Sequence, residues 1–155
     1  MGTQTDWPDE LVALYQTQYR GYVKLAYLLL GTRAAAEEVV QEAFIAVRAR
    51  WESVATSPGG YVRQAVVNGA NQRRRRHEVE ERLRPDPPPL DAPEDLVDLR
   101  DALARLPWAQ RTAIVLRYWA DLPDEETAAA LGCRTGTVRS HISRGVAQLR
   151  KEVSR

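Results

Sequence analysis

In the run Asp124–Arg150, DEETAAALGCRTGTVRSHISRGVAQLR, a short helix, a tight turn and a longer helix follow one another. Gly132 supplies the turn, because glycine enters the left-handed region without steric cost. Ala128 is small where two helices must cross closely, and Leu131, Val138 and Ile142 fill the core they share. In the second helix Val138, Ile142, Val146 and Leu149 recur at the spacing of one helical face. Arg139, Ser140, Ser143 and Arg144 therefore turn outward in its leading half, with Thr135 and Thr137 just ahead of them. This is the pattern of a helix-turn-helix, whose second helix can enter a major groove. Arginine reads guanine bidentately, while hydroxyls take phosphates or base edges. An ordinary helical hairpin with a solvated basic face would share the spacing. The turn glycine and the one-sided polarity together favour DNA reading.

Upstream, Leu96, Leu99, Leu103 and Leu106 mark a helix that Pro107 ends, and PWAQRTAIVLRYWA is the next, with Pro107 at its first position. Before these lies RLRPDPPPLDAPED, where five of the nine prolines fall between Pro85 and Pro93. Such a stretch holds neither a helix nor a central strand. It reads as an acidic, extended tether of roughly 3 Å per residue. The N-terminal part is helical again. Leu11, Leu14, Tyr15, Tyr22, Leu25, Ala26 and Leu29 form one apolar stripe, Gly31 stops that helix, and Thr32 can cap the next. The second helix buries Val39, Val40, Ala43, Phe44 and Val47; SVATSPGG reads as a loop, and a third helix begins near Tyr61. No run alternates long enough to make a strand. The expected fold is all-α: two small helical domains, 8–78 and 95–153, joined by a Pro-rich acidic linker, 79–94.

A chain of 155 residues with 44% hydrophobic and 28% charged residues can build a packed core. No stretch approaches the roughly 20 apolar residues of a bilayer span, and the N-terminus lacks a signal-peptide core, so a cytoplasmic protein is expected. With one cysteine, Cys133, and two histidines, His77 and His141, neither a disulfide framework nor a metal centre is expected. Cys133 beside the turn reads as a packing residue, and Trp51, Trp108 and Trp119 as core; Trp7 is either exposed or pins the N-terminus.

The net charge of +1 conceals segregation. Arg63 to His77 holds five arginines and no carboxylate; Gly132 to Lys151 holds four arginines, one lysine and no carboxylate. Between them, Asp86 to Asp101 carries six acids against Arg100 alone. Two basic blocks separated by an acidic one suggest two polyanion contacts. In the first, YVRQAVVNGANQRRRRH, the amides of Asn68 and Asn71 are candidate base readers, and the guanidiniums of Arg63, Arg73, Arg74, Arg75 and Arg76 candidate phosphate holders. An arginine run at a domain edge can equally be a solvated patch. In AAAEEVVQEAF, Glu38, Gln41 and Glu42 share an exposed strip beside Glu37. It suits either the first turns of a helix or a basic protein partner. No phosphate loop, nucleophile elbow or metal-binding histidine pair is present, so no catalytic residue and no cofactor is assigned.

Taken in order, these pieces resemble a bacterial sigma factor of the sigma-70 family, in its short extracytoplasmic-function group, and most of all the actinobacterial SigE-like set. The resemblance covers about residues 9–77 and 94–152. AEEVVQEAF resembles the helix that binds the clamp helices of the RNA polymerase largest subunit. SPGGYVRQAVVNGANQRRRR resembles the segment that melts and reads the minus-ten element, which implies a flipped base captured by the SVATSPGG loop near Tyr61 and Asn68. LARLPWAQRTAIVLRYWADL with the helix-turn-helix resembles the minus-thirty-five domain, which also docks on the polymerase flap. The resemblance implies region 2 and region 4 domains, core polymerase and promoter DNA as partners, and no catalysis. No further C-terminal domain is seen, so regulation falls to a separate protein, an anti-sigma factor being the candidate. The chain departs from the family pattern at Glu38, where aspartate is common, and at Asn71, again for aspartate. Pro123 replaces a capping serine, and Arg134–Thr135 replaces a small residue plus proline. The rival readings are an autonomous helix-turn-helix repressor and a helical adaptor for RNA or protein.

Overall fold

The computed structural model describes residues 6–77, 87–89, 91–93 and 95–153, without the side chains of 75–77 and 153. Among them every regular element is helical. The N-terminal half comprises α1 (Asp9–Leu30), α2 (Arg33–Ala49), the short α3 (Trp51–Val54) and α4 (Pro58–His77). Asp9 and Glu10 sit in the first turn of α1, where carboxylates complement the helix dipole. Gly31 ends it at φ +87°, its N–H returning to the Tyr27 carbonyl at 2.8 Å. Thr32 then caps α2, its hydroxyl accepting from the Ala35 N–H at 3.3 Å. Val39, Val40, Ala43, Phe44 and Val47 are all buried, as their spacing predicts.

Three details correct the reading of this half. SVATSPGG is not an open loop: α3 runs to Val54 and α4 starts at Pro58, so only 55–57 lie outside helices. Proline suits the opening turn, where its missing N–H would have no partner, which is why α4 begins ahead of Tyr61. The Tyr22 hydroxyl donates to the Gly59 carbonyl at 3.0 Å, tying that turn to α1. Tyr15, placed on the inward stripe by spacing, lies at the surface, stacked on Tyr19 at 4.6 Å and edge-on to Phe44 at 5.1 Å.

The C-terminal half comprises α5 (Leu96–Ala104), α6 (Trp108–Ile114), a π-helical turn (Val115–Trp119), α7 (Asp124–Leu131) and α8 (Thr135–Val153). Leu96, Leu103 and Leu106 are buried, but Leu99 is exposed. Pro107 stands just before α6 rather than within it. Instead of one α-helix continuing to Ala120, the π turn closes with the Ala120 N–H on the Val115 carbonyl at 3.0 Å. Such widened turns recur at functional sites. This one leaves Tyr118 and Trp119 at the surface, so Trp119 is not core. Trp51 and Trp108 are half-buried, and Trp7 is pinned under the Arg48 guanidinium, 5.3 Å from the ring centre. Gly132 turns at φ +67°, and Val138 is fully buried against Ala113 and Ala128, with Leu131, Cys133 and Ile142 packed around them. α6 and α8 meet at Gly145, where an added Cβ would fall 2.5 Å from Ile114 Cδ1.

The two halves share one core. Leu96, Leu103, Leu106 and Leu116 join the cluster built on α1, α2 and α4. Spacing assigned α1 one buried face, yet Val23, Tyr27 and Leu28 are buried too. The reason is that α5 and the π turn pack on α1 from a second side. Arg111 bolts this contact: Nη1 donates to the Leu29 carbonyl and Nε to the Leu103 carbonyl, each at 3.0 Å. Its Nη2 donates to the Ala104 and Leu106 carbonyls at 3.2 and 3.1 Å. Arg100 donates to the Gly31 carbonyl at 3.0 Å and lies over the Tyr27 ring at 5.2 Å. From the tether, Asp91 forms an ion pair with Arg20.

Candidate nucleic-acid interface

α8 holds the C-terminal set in place through Val138, whose complete burial fixes which way the helix is turned. Thr137, Arg139, Ser140, Ser143 and Arg144 are exposed and Thr135 is half-buried. A shallow depression at the start of α8 is lined by Arg134, Thr135, Thr137, Ser140, His141 and Arg144. Donors thus converge on the leading end of a helix whose opposite side is core. The Arg139 Nε–H donates to Asp124 Oδ2 at 3.1 Å, and Asp124 Oδ1 is paired with Arg117. The Arg139 hydrogen bond, joined by that of Arg117 and opposed by partial desolvation, holds the Asp124 carboxyl below its usual 3.8.

On α4 the picture is mixed. Tyr61, Asn68 and Asn71 are exposed, while Arg63 is half-buried. Asn68 accepts from Gln64 Nε2 at 3.0 Å, and burial raises the Tyr22 hydroxyl's pKa, countered by the charge of Arg63. Arg73 has only 15% of its side chain exposed and pairs with Glu38, with Glu42 at 3.6 Å. Arg74 lies over the Trp108 ring at 5.2 Å, with its Nε buried and lacking a hydrogen-bond partner. Arg75 and Arg76 belong to α4, but their side chains lie outside the described residues, as does most of the 79–94 tether. Glu38, Gln41 and Glu42 do share an exposed strip on α2, with Gln41 Nε2 donating to the Tyr19 hydroxyl at 3.4 Å. Glu37 is half-buried and pairs with Arg33 at 2.9 Å.

Sequence reasoning assigned Arg73 to nucleic acid and the α2 carboxylates to protein. The fold brings the two groups together. Asp124, Arg117 and Arg111 were missed. Asp124 was legible only as a helix start, and Arg111 hides among apolar neighbours in PWAQRTAIVLRYWA.

Family models match both halves: "Sigma-70 region 2" over residues 14–79 and "Sigma-70, region 4" over residues 96–149. RNA polymerase sigma-E factor of Streptomyces coelicolor is 33% identical over 146 residues, covering 89% of this chain and 82% of its own. RNA polymerase sigma-E factor of Streptomyces antibioticus is 36% identical over 126 residues, covering 76% and 70%. Among solved structures, the sigma factor RpoE of Bartonella quintana, in complex with the anti-sigma factor NepR, superposes with a TM-score of 0.75. It covers 95% of this chain and 98% of its own at 23% identity, a likeness of fold. CnrH, in complex with the cytosolic domain of CnrY, gives 0.68 at 20% identity over 93% and 87%. With region 2 and region 4 each matched in order on a two-part helical fold, the chain belongs to the sigma-70 family of RNA polymerase sigma factors, in its extracytoplasmic-function group.

Proposed function

We propose that this chain recruits core RNA polymerase to promoters and itself alters no covalent bond. Its units are 8–78, which reads and melts the minus-ten element, the tether 79–94, and 95–153, which reads the minus-thirty-five element. The observation that carries this reading is the leading half of α8, where Arg139, Ser140, Ser143 and Arg144 are all exposed opposite the buried Val138. Thr135 and Thr137 flank them and take phosphate contacts. On α4, Tyr61, Arg63, Asn68 and Asn71 face the separated strand and Arg74, Arg75 and Arg76 hold its backbone, while Arg73 stays with Glu38 and Glu42. Unstacking a base costs a few kcal/mol, which contacts and the polymerase together offset.

Glu37, Glu38, Gln41 and Glu42 meet the clamp helices of the largest subunit, and the C-terminal unit docks on the flap. The Bartonella quintana sigma factor solved with an anti-sigma factor supports such a factor as a further partner. Polymerase and promoter place the protein in the cytoplasm, and among the described residues no helix is long and apolar enough to cross a membrane. The test is copurification with core polymerase followed by run-off transcription from a selected promoter. Both succeed for a sigma factor. An autonomous repressor would bind duplex DNA tightly without polymerase, and an adaptor would support no initiation.

A further inference from the structure

Asp124 opens α7 with only 13% of its side chain exposed, between two arginines from different elements. Arg117, carried by the π turn, pairs with one carboxylate oxygen, and the Arg139 Nε–H reaches the other at 3.1 Å. The first turn of α7 further favours the negative charge there. Arg139 is otherwise open, with 70% of its side chain exposed, and its Nη1 and Nη2 have no partner among the described residues. This division of the guanidinium matters. A carboxylate on Nε occupies the side edge and leaves the end edge, with two parallel N–H bonds, without an acceptor among the described residues. That end edge matches guanine O6 and N7 in a major groove. A long side chain held before binding also loses less rotamer freedom on binding. Arg144 and Arg134 are exposed on the same helix start and have no carboxylate partner among the described ion pairs.

We infer that Asp124 is a positioning residue for promoter reading: it fixes Arg139 end-on toward a guanine and makes one minus-thirty-five position guanine-specific. Arg117 in turn steadies Asp124, so the π turn contributes to base choice without touching DNA. This rests on the reading that α8 enters duplex DNA.

The experiment uses the full chain assembled with core polymerase. Holoenzyme selects from a duplex DNA library randomised upstream of the initiation site, and recovered sequences are counted at every position. Wild type is expected to favour guanine at one position at least tenfold, and Arg139→Ala to lose that preference there alone. Asp124→Ala should reduce the same preference to under threefold, leaving the other positions and polymerase copurification unchanged. Asp124→Glu should restore it in part, and Asp124→Ala with Arg139→Ala should lose no more than Arg139→Ala alone. Asp124→Asn, which keeps the shape, serves if the alanine variant does not fold. Full guanine preference in Asp124→Ala and Asp124→Asn overturns the proposal, as does an even loss across all positions, which would mean a merely structural tie. If Arg139→Ala changes no position while wild type still selects a minus-thirty-five sequence, Arg139 is not a base reader and the proposal falls. If wild type selects nothing upstream of the minus-ten element, the reading of α8 itself fails.

Discussion

Two glycines in helices call for opposite expectations. Gly145 lies where α6 and α8 touch, and any Cβ there meets Ile114 and Gln110 within 3.3 Å. Ile114 is itself buried and has little room to retreat. Gly145→Val should therefore cost about 1–3 kcal/mol through overpacking, seen as a lower denaturation midpoint. Gly21 has nothing within 4 Å of its would-be Cβ and sits exposed in the middle of α1. Gly21→Ala should stabilise by about 0.5–1 kcal/mol, because alanine loses less backbone freedom in a helix. Asp124 gives a pH expectation. Its carboxyl titrates lower in the fold than its usual 3.8, so its contribution is present above that value and lost as pH falls through the lower one. Acid unfolding followed by circular dichroism should show a shallower decline below about pH 4 for Asp124→Asn than for wild type.

At the level of helices, the acidic strip of α2 and the arginines of α4 answer one another. Reversing Glu38 and Glu42 to lysine should abolish copurification with polymerase, but it also sets two cations against Arg73. Adding Arg73→Glu rebuilds the intramolecular attraction with inverted signs. That triple variant should regain wild-type thermal stability and still fail to bind polymerase; recovered binding would move the docking strip elsewhere. Much at this scale was legible beforehand: the caps at Gly31 and Thr32, the α2 stripe, the turn at Gly132 and the outward face of α8 are all local signals. The misses have a common cause. The π turn, the surface positions of Leu99 and Trp119 and the pairing of Arg73 depend on which helix lies alongside, and periodicity within one segment does not carry that information. Tyr61 was placed at a helix start by its neighbours, while Pro58 had already opened the turn.

For the molecule as a whole, the packing of one half on the other ties up groups that the proposed task needs. Arg74, a candidate for backbone contacts, is spent on Trp108 across the domain boundary. Domain packing and DNA contact by Arg74 therefore compete. Trp108→Ala together with Arg111→Ala should loosen the boundary, since the hydrogen bond to the Leu29 carbonyl and the Arg74–Trp108 contact, both of which cross it, are lost at once. Single-molecule energy transfer between dyes on α2 and α8 should report a longer mean separation for that variant and an unchanged one for Gly21→Ala. Nothing in the sequence announced this boundary except the C-terminal stretch of α1, YVKLAYLLL, which is apolar on too many sides for a helix with a single covered face. That stretch carries its own consequence. Parting the modules in water would strip Tyr27 and Leu28 of their shelter, so an undocked, wide-open chain should be sticky and short-lived. Whatever draws the halves apart must clothe that flank in the same stroke, which makes release and capture a single handover.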